Sequence, residues 1–138
     1  MRLLVDTNVL LDIIMMRKPF NEAAKAFLVK ARENKDEIYV CGTTLKDLSY
    51  QGHRLFHSYE RTNSLLIDIY SRISKIVGIS TDDCIEALYL DGDYEDNLIA
   101  LTAESTVCDA IISRDKTFKN FRVVLSPEKY LEIRNKWD

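Results

Sequence analysis

Leu3-Leu4-Val5-Asp6-Thr7-Asn8-Val9-Leu10-Leu11-Asp12 is the stretch whose reading decides the fold. Three consecutive apolar residues form a short buried strand that ends at Asp6. Asn8 to Met16 then follows helical spacing and stops near Arg17-Lys18-Pro19. A strand buried on both faces and followed at once by a helix is the opening of a parallel α/β unit. Far along the chain, Ala110-Ile111-Ile112-Ser113-Arg114-Asp115 repeats the arrangement, again an apolar run ending near an acid.

Between these two runs, short apolar segments alternate with longer amphipathic ones. A helix is expected from about Asn21 to Asn34, with Asn21 or a neighbour as its cap, and a strand over Glu37 to Cys41. Thr43 or Thr44 is expected to cap a helix carrying Leu45, Leu48, Leu55 and Phe56, with a bend or break allowed at Gly52. The spacing of Leu65, Leu66, Ile69, Ile73 and Ile76 predicts a helix over 62–76, followed by a very short strand at Val77-Gly78-Ile79. Ser80 or Thr81 caps the next helix, which runs to about Leu90. Asp91-Gly92-Asp93 turns the chain, and Tyr94 to Ser105 is helical. Strands are expected within Val107–Ser113 and over Phe121–Leu125, and Pro127 suits the first position of a closing helix. The reading is one α/β domain over residues 1–138, without repeat, linker or low-complexity tract.

Composition bounds the chemistry. With 46% hydrophobic and 30% charged residues, the 138-residue chain has the balance of a globular protein. Its net charge of −3 counts mildly against a nucleic-acid partner, because phosphate contacts usually come with a basic surface. Cys41, Cys84 and Cys108 are odd in number, widely spaced and without a CxxC pair, which suggests neither a disulfide framework nor a structural zinc site. No apolar stretch reaches the ~18 residues of a membrane span. Asp6 and Asp12 interrupt what would be a signal-peptide core, so a cytoplasmic location is expected. None of the four glycines lies in a phosphate-cradling loop, so no nucleotide cofactor is indicated.

Four acids carry the candidate chemistry. Asp6 and Asp115 stand at strand ends, and in an open parallel sheet ligands bind beyond the carboxyl ends of the strands. Asp96 falls in the first turn of a helix that Asp93 can cap, and three acids within Asp93-Tyr94-Glu95-Asp96 exceed what capping needs. Asp47 lies one turn into the helix after the second strand. Each also has a plainer role: Asp6 as an N-cap, Asp96 as a complement to the helix dipole, Asp115 in a solvated turn, Asp47 as a helix-face charge. The residues alone leave both readings open. Converging carboxylates repel, and a hard divalent cation such as Mg²⁺ or Mn²⁺ resolves the conflict. Such an ion lowers the pKa of bound water and neutralises charge on a phosphoryl group, so no His, Ser or Cys nucleophile is needed.

The run from Leu4 to Asp12 resembles the opening motif of PIN domains. Asp93-Tyr94-Glu95-Asp96-Asn97-Leu98-Ile99-Ala100 is similar to their central acidic helix start, and Ile111-Ile112-Ser113-Arg114-Asp115 with Phe118 to their late strand end. The resemblance implies a three-layer α/β/α fold with about five parallel strands in the order 3-2-1-4-5. It implies a Mg²⁺- or Mn²⁺-dependent RNA endonuclease, often dimeric, and often the toxin half of a toxin–antitoxin pair with a small antitoxin protein as partner. By position, Asp6, Asp96 and Asp115 match the family's acidic ligands. Asp47 matches a place usually held by Glu. Asn8 and Ser113 match polar neighbours of the pocket, and Asp93 is an outer helper or a cap.

Other features carry less. His53 and His57 are four apart, but the intervening Arg54-Leu55-Phe56 lacks the Glu of a zinc protease. With Lys46, Arg54 and Arg61 they read as a basic solvated face. Arg114, Lys116, Lys119 and Arg122 form a second basic cluster, either a solvated edge or an RNA-backbone contact. A Mg²⁺-dependent phosphatase of the haloacid-dehalogenase type wants a second Asp two residues after the first, where this chain has Asn8. A phosphotransfer receiver wants adjacent acids near the first strand, whereas Val5 and Thr7 flank Asp6. A PIN-fold interaction module with little activity is the remaining alternative.

Overall fold

The computed structural model describes residues 1–115 and 118–137. Five strands form one sheet: β1 (Arg2–Val5), β2 (Glu37–Cys41), β3 (Lys75–Val77), β4 (Ala110–Ile112) and β5 (Val124–Leu125). Their order is β3-β2-β1-β4-β5 and every pairing is parallel, so the segments that follow the strands, Asp6 after β1 and Asp115 after β4 among them, leave the sheet at one edge. The helices are α1 (Thr7–Ile14), α2 (Phe20–Glu33), α3 (Gly42–Phe56), α4 (Tyr59–Tyr70), α5 (Thr81–Tyr89), α6 (Tyr94–Ser105) and α7 (Pro127–Trp137).

Alternation along the strands builds the three layers. Leu3, Val5, Ile38, Val40, Ala110 and Ile112 point to the face covered by α1, α2, α3, α4 and α7, where they meet Val9, Leu10, Phe27, Leu48, Ile69 and Tyr130. Leu4, Cys41 and Ile111 point to the other face and meet Ile99, Ala103 and Phe118. Both faces of the three central strands are therefore covered, which is why they read as uninterrupted apolar runs. Among the described residues, no helix is long and apolar enough to cross a membrane. Cys41 is buried, Cys84 and Cys108 are half-buried, and all three are free thiols.

Several expectations about local structure are corrected. No break occurs at Gly52: α3 is continuous, and the glycine is there because α4 crosses it so closely that a Cβ would stand 2.8 Å from Thr62 Cγ2. Neither Thr43 nor Thr44 caps α3, which starts a residue earlier at Gly42 without a side-chain cap. Nor does Asn21 cap α2; it lies inside the helix, buried. The helix expected to reach Ile76 ends at Tyr70, because Ser74 is drawn into the sheet edge. Its N–H donates to Ile38 O (2.8 Å) and its Oγ accepts from Ile38 N–H (2.9 Å), so β3 begins at Lys75 rather than Val77.

On the face away from the acidic edge, Asp36 ties three segments together. Its carboxylate, 1% exposed, accepts from the α-amino group of Met1 (2.8 Å), from Tyr130 Oη (2.6 Å) and from the Arg134 guanidinium. Burial pushes this carboxyl up, but the bonds from the amino group, Tyr130 and Arg134 outweigh it and hold it below its ordinary 3.8. The same burial, with the bond to Asp36, lifts the Tyr130 hydroxyl to about 12. A depressed carboxyl stabilises the fold above its ordinary pKa, and that contribution disappears as pH falls through the folded value. Asp36→Asn is expected to cost about 3 kcal/mol at pH 7, since it breaks a buried charge network from one side. In urea unfolding the gap between wild type and variant should narrow as pH drops below about 3.8. A gap that stays constant to pH 2.5 would show that the charge of Asp36 contributes nothing.

Candidate active site

At the carboxyl edge of the sheet, Asp6 follows β1 directly and is 8% exposed. It fills the capping role the sequence allowed. Oδ1 caps α1 by accepting from Thr7 N–H (2.8 Å), and Oδ2 accepts from Ser113 Oγ (2.8 Å). Ser113 closes the neighbouring strand β4, so this bond crosses between the first and last acid-bearing segments of the site. Its Oγ in turn accepts from Asn8 Nδ2 (3.2 Å) and from the Asp115 backbone N–H (3.0 Å). Asn8 Oδ1 completes the ring by accepting from the Arg114 N–H (3.3 Å). Asn8 and Ser113 thus form a polar brace that sets Asp6 and the backbone of Asp115 relative to each other. Asp115 itself is exposed at the rim.

Asp47 is brought in by α3. The Thr44 hydroxyl, fully buried, shares a 2.8 Å hydrogen bond with that of Thr7, pinning the first turn of α3 to the start of α1. One turn later Asp47 sits half-buried. Asp93 caps α6 by accepting from Asp96 N–H (3.0 Å), which fixes the helix start that carries Asp96. Burial above all, and then the charges of Asp93, Asp6 and Asp115, push the Asp96 carboxyl above its ordinary value. Asp6 is likewise raised, chiefly by burial and further by Asp115, against the hydrogen bonds of Ser113 and Thr7.

One residue passed over in the sequence belongs to the group. Glu95, on the exposed rim, is pushed up by partial desolvation, then by neighbouring Asp47, Asp6 and Asp93. Like charges disfavour one another's ionisation, and Glu95 is the carboxyl pushed up by its neighbours. The signal was present in Asp93-Tyr94-Glu95-Asp96, which holds more acids than capping and the helix dipole need. Asp47 bears on the group through its charge beside Glu95.

Among the described residues, no three carboxylates, thiols or imidazoles are arranged so that they could hold a metal ion as they stand. The chemistry of the set still fits a hard cation. Asp6, Glu95 and Asp96 are all raised in the same direction, all donors are oxygens, and no cationic side chain in the described hydrogen bonds or ion pairs neutralises them. Arg114, the nearest candidate by sequence, is turned away and pairs with Asp12 (2.6 Å). Of the basic cluster suspected beside Asp115, Lys119 pairs with the exposed Asp91 (3.2 Å), Arg122 is exposed, and Lys116 lies outside the described residues. His53 stacks on Tyr59 with ring centroids 3.8 Å apart, and His57 terminates α3 in a left-handed conformation.

Fold comparison places two solved structures beside this one. VapBC2 from Rickettsia felis, in a structure bound to a DNA fragment from its promoter, aligns with a TM-score of 0.64 and 18% identity, over 91% of this chain and 98% of that one. PAE2754 from Pyrobaculum aerophilum aligns with a TM-score of 0.67 and 16% identity, over 99% and 96%. No curated protein matches by sequence. The PIN domain family model matches residues 2–117, a span that holds Asp6, Asn8, Asp47, Asp93, Asp96, Ser113 and Asp115. The chain belongs to the PIN-domain family.

Proposed function

We propose that this protein is a divalent-metal-dependent endoribonuclease and the toxin member of a toxin–antitoxin pair. The observation that supports the reading most is that acids from separate segments of a PIN-family chain raise one another's pKa: Asp115 acts on Asp6, Asp6 and Asp115 on Asp96, and Asp47 and Asp6 on Glu95. The fold likeness to VapBC2 supports the pairing with a small antitoxin. The reading includes one nuclease domain over residues 1–138, a cytoplasmic site of action, and a homodimer as the working form.

Asp6, Asp96 and Asp115 would hold Mg²⁺ or Mn²⁺, with Asp47 and Glu95 completing the acidic wall. The ion would supply a water of lowered pKa and a counter-charge for the phosphodiester. The chain's own groups do the positioning. Ser113 orients Asp6 by donating to Oδ2, Asn8 holds Ser113 and the backbone before Asp115, and Asp93 fixes the first turn of α6. Asp6 is 8% exposed, and its attraction to a cation would be stronger there than in bulk water, while Asp115 and Glu95 stand at the exposed rim.

The test is incubation of purified protein with single-stranded and structured RNAs in Mn²⁺, Mg²⁺ or EDTA. RNA cleavage in either metal that stops in EDTA is expected. Cleavage that survives EDTA would overturn the mechanism. Hydrolysis of a small phosphomonoester without RNA cleavage would favour a phosphatase, against which Asn8 already stands, since its amide is spent on Ser113 and Arg114. Partner binding with neither activity would favour an interaction module.

A further inference from the structure

Asn97 follows Asp96 in the first turn of α6 and is 2% exposed. A buried amide in a helix must meet its hydrogen bonds there or destabilise the fold. This one meets them on both ends. Its Nδ2 donates to Ala87 O and to Leu90 O, both at 3.2 Å, at the carboxyl end of α5. Its Oδ1 accepts from Asn120 Nδ2 at 2.8 Å, and the same Asn120 nitrogen donates to Asp91 O at 3.2 Å. Two carbonyls on one side and an amide donor on the other fix the orientation of the group.

Three stretches of chain meet at this amide: the end of α5, the turn Asp91-Gly92-Asp93, and the 118–121 turn. The 91–93 turn wraps it tightly. Gly92 has φ +100°, and a Cβ there would lie 3.2 Å from Lys119 Cδ and 3.8 Å from Asn97 Oδ1. On the far side, Phe118 is 5% exposed in the core beside Leu4, Ile99 and Ile111. The start of α6, which carries Asp93, Glu95 and Asp96, therefore shares one anchor with the 118–121 turn.

We propose that Asn97, with Asn120, is a positioning residue that holds the start of α6, and with it Asp96, against the end of α5 and the 118–121 turn, and so sets the affinity of the site for its cation. The proposal rests on the metal-nuclease reading above. An apolar residue of the same size would fill the volume but would leave the Ala87 and Leu90 carbonyls and the Asn120 amide without their partner.

The experiment compares wild type, Asn97→Ala, Asn97→Asp, Asn120→Ala and Tyr130→Phe. Mn²⁺ affinity is read by calorimetry, with thermal unfolding and the kcat and KM of RNA cleavage alongside. Asn97→Ala and Asn97→Asp are expected to weaken Mn²⁺ binding about 10-fold, the low end of what losing a direct outer partner of a metal ligand costs, because Asn97 acts through the helix that carries Asp96. Asn120→Ala keeps the α5 bonds of Asn97 and should weaken it several-fold, which tests the proposal even if the Asn97 variants do not fold. Combined with Asn97→Ala it should add less than its own effect, because the two share a bond. Tyr130→Phe loses a buried bond to Asp36 on the opposite side and should lower thermal stability with Mn²⁺ affinity unchanged. Unaltered Mn²⁺ affinity in the Asn97 and Asn120 variants, with wild type binding normally, would overturn this inference alone. A wild type that binds no Mn²⁺ would overturn the nuclease reading and this inference with it.

Discussion

Asp6→Asn is expected to lower RNA cleavage by about three orders of magnitude, which corresponds to about 4 kcal/mol in the barrier. The size follows from how fully this carboxylate is used. One oxygen caps α1 and the other accepts from Ser113, so the residue can turn neither way without losing a bond. An amide offers one acceptor where two are needed. Its NH₂ cannot be received by Ser113 without cost, because that hydroxyl already accepts from Asn8 and from the Asp115 N–H. The charge that would anchor a cation is lost at the same time. Folding should scarcely change, because the lost bond of about 1 kcal/mol is offset by removing a charge that burial and Asp115 disfavour. The wild type should gain about 2.7 kcal/mol of stability when Mn²⁺ is present at a hundred times its Kd, and the variant much less. Full cleavage by a cooperatively folded Asp6→Asn protein would place the chemistry elsewhere.

How far such a site is legible in sequence depends on the kind of interaction. The sheet was readable because β1 and β4 are buried on both faces, and two-sided burial leaves an uninterrupted apolar run that ends abruptly at an acid. Asp6, Asp96 and Asp115 were readable for the same reason: they sit where a regular element begins or stops. Thr44 was misread as a cap because its hydroxyl is spent on Thr7, 37 residues away, and no local pattern records a bond of that separation. The end of α4 was misplaced because Ile73 and Ile76 keep helical spacing, while Ser74 finds better hydrogen bonds in the sheet edge. Glu95 hid in plain view beside two acids with ready local explanations. Asn97 gave no signal at all, since one buried amide looks like any other polar residue on a helix. Arg114 was grouped with a basic edge, although its guanidinium faces inward.

That inward-facing Arg114 leads to the largest expected effect on stability. Its Nε and Nη2 grip the two oxygens of Asp12 at 2.6 and 3.2 Å, and its guanidinium carbon lies 4.2 Å from the centre of the Phe20 ring. Asp12 is 1% exposed, Arg114 29%, and the other cation near Asp12, Arg17, stands 3.8 Å off. The two ends of the pair are therefore unequal. Asp12→Ala leaves a guanidinium that can turn to water and keep its contact with Phe20, whereas Arg114→Ala strands a carboxylate that has almost no access to solvent. Arg114→Ala is expected to cost about 3–5 kcal/mol and Asp12→Ala about 2, in urea unfolding with an unchanged m-value. Replacing both at once, Asp12→Leu with Arg114→Met, should recover most of the loss, since an apolar pair of similar volume pays no desolvation. Cleavage should not recover with it. Arg114 immediately precedes Asp115 and its backbone is held by Asn8, so freeing the side chain loosens the segment that carries the last acid of the site. Equal and small losses, below about 1 kcal/mol for both single variants, would mean that the pair behaves as a solvated one and does not hold α1 to the end of β4.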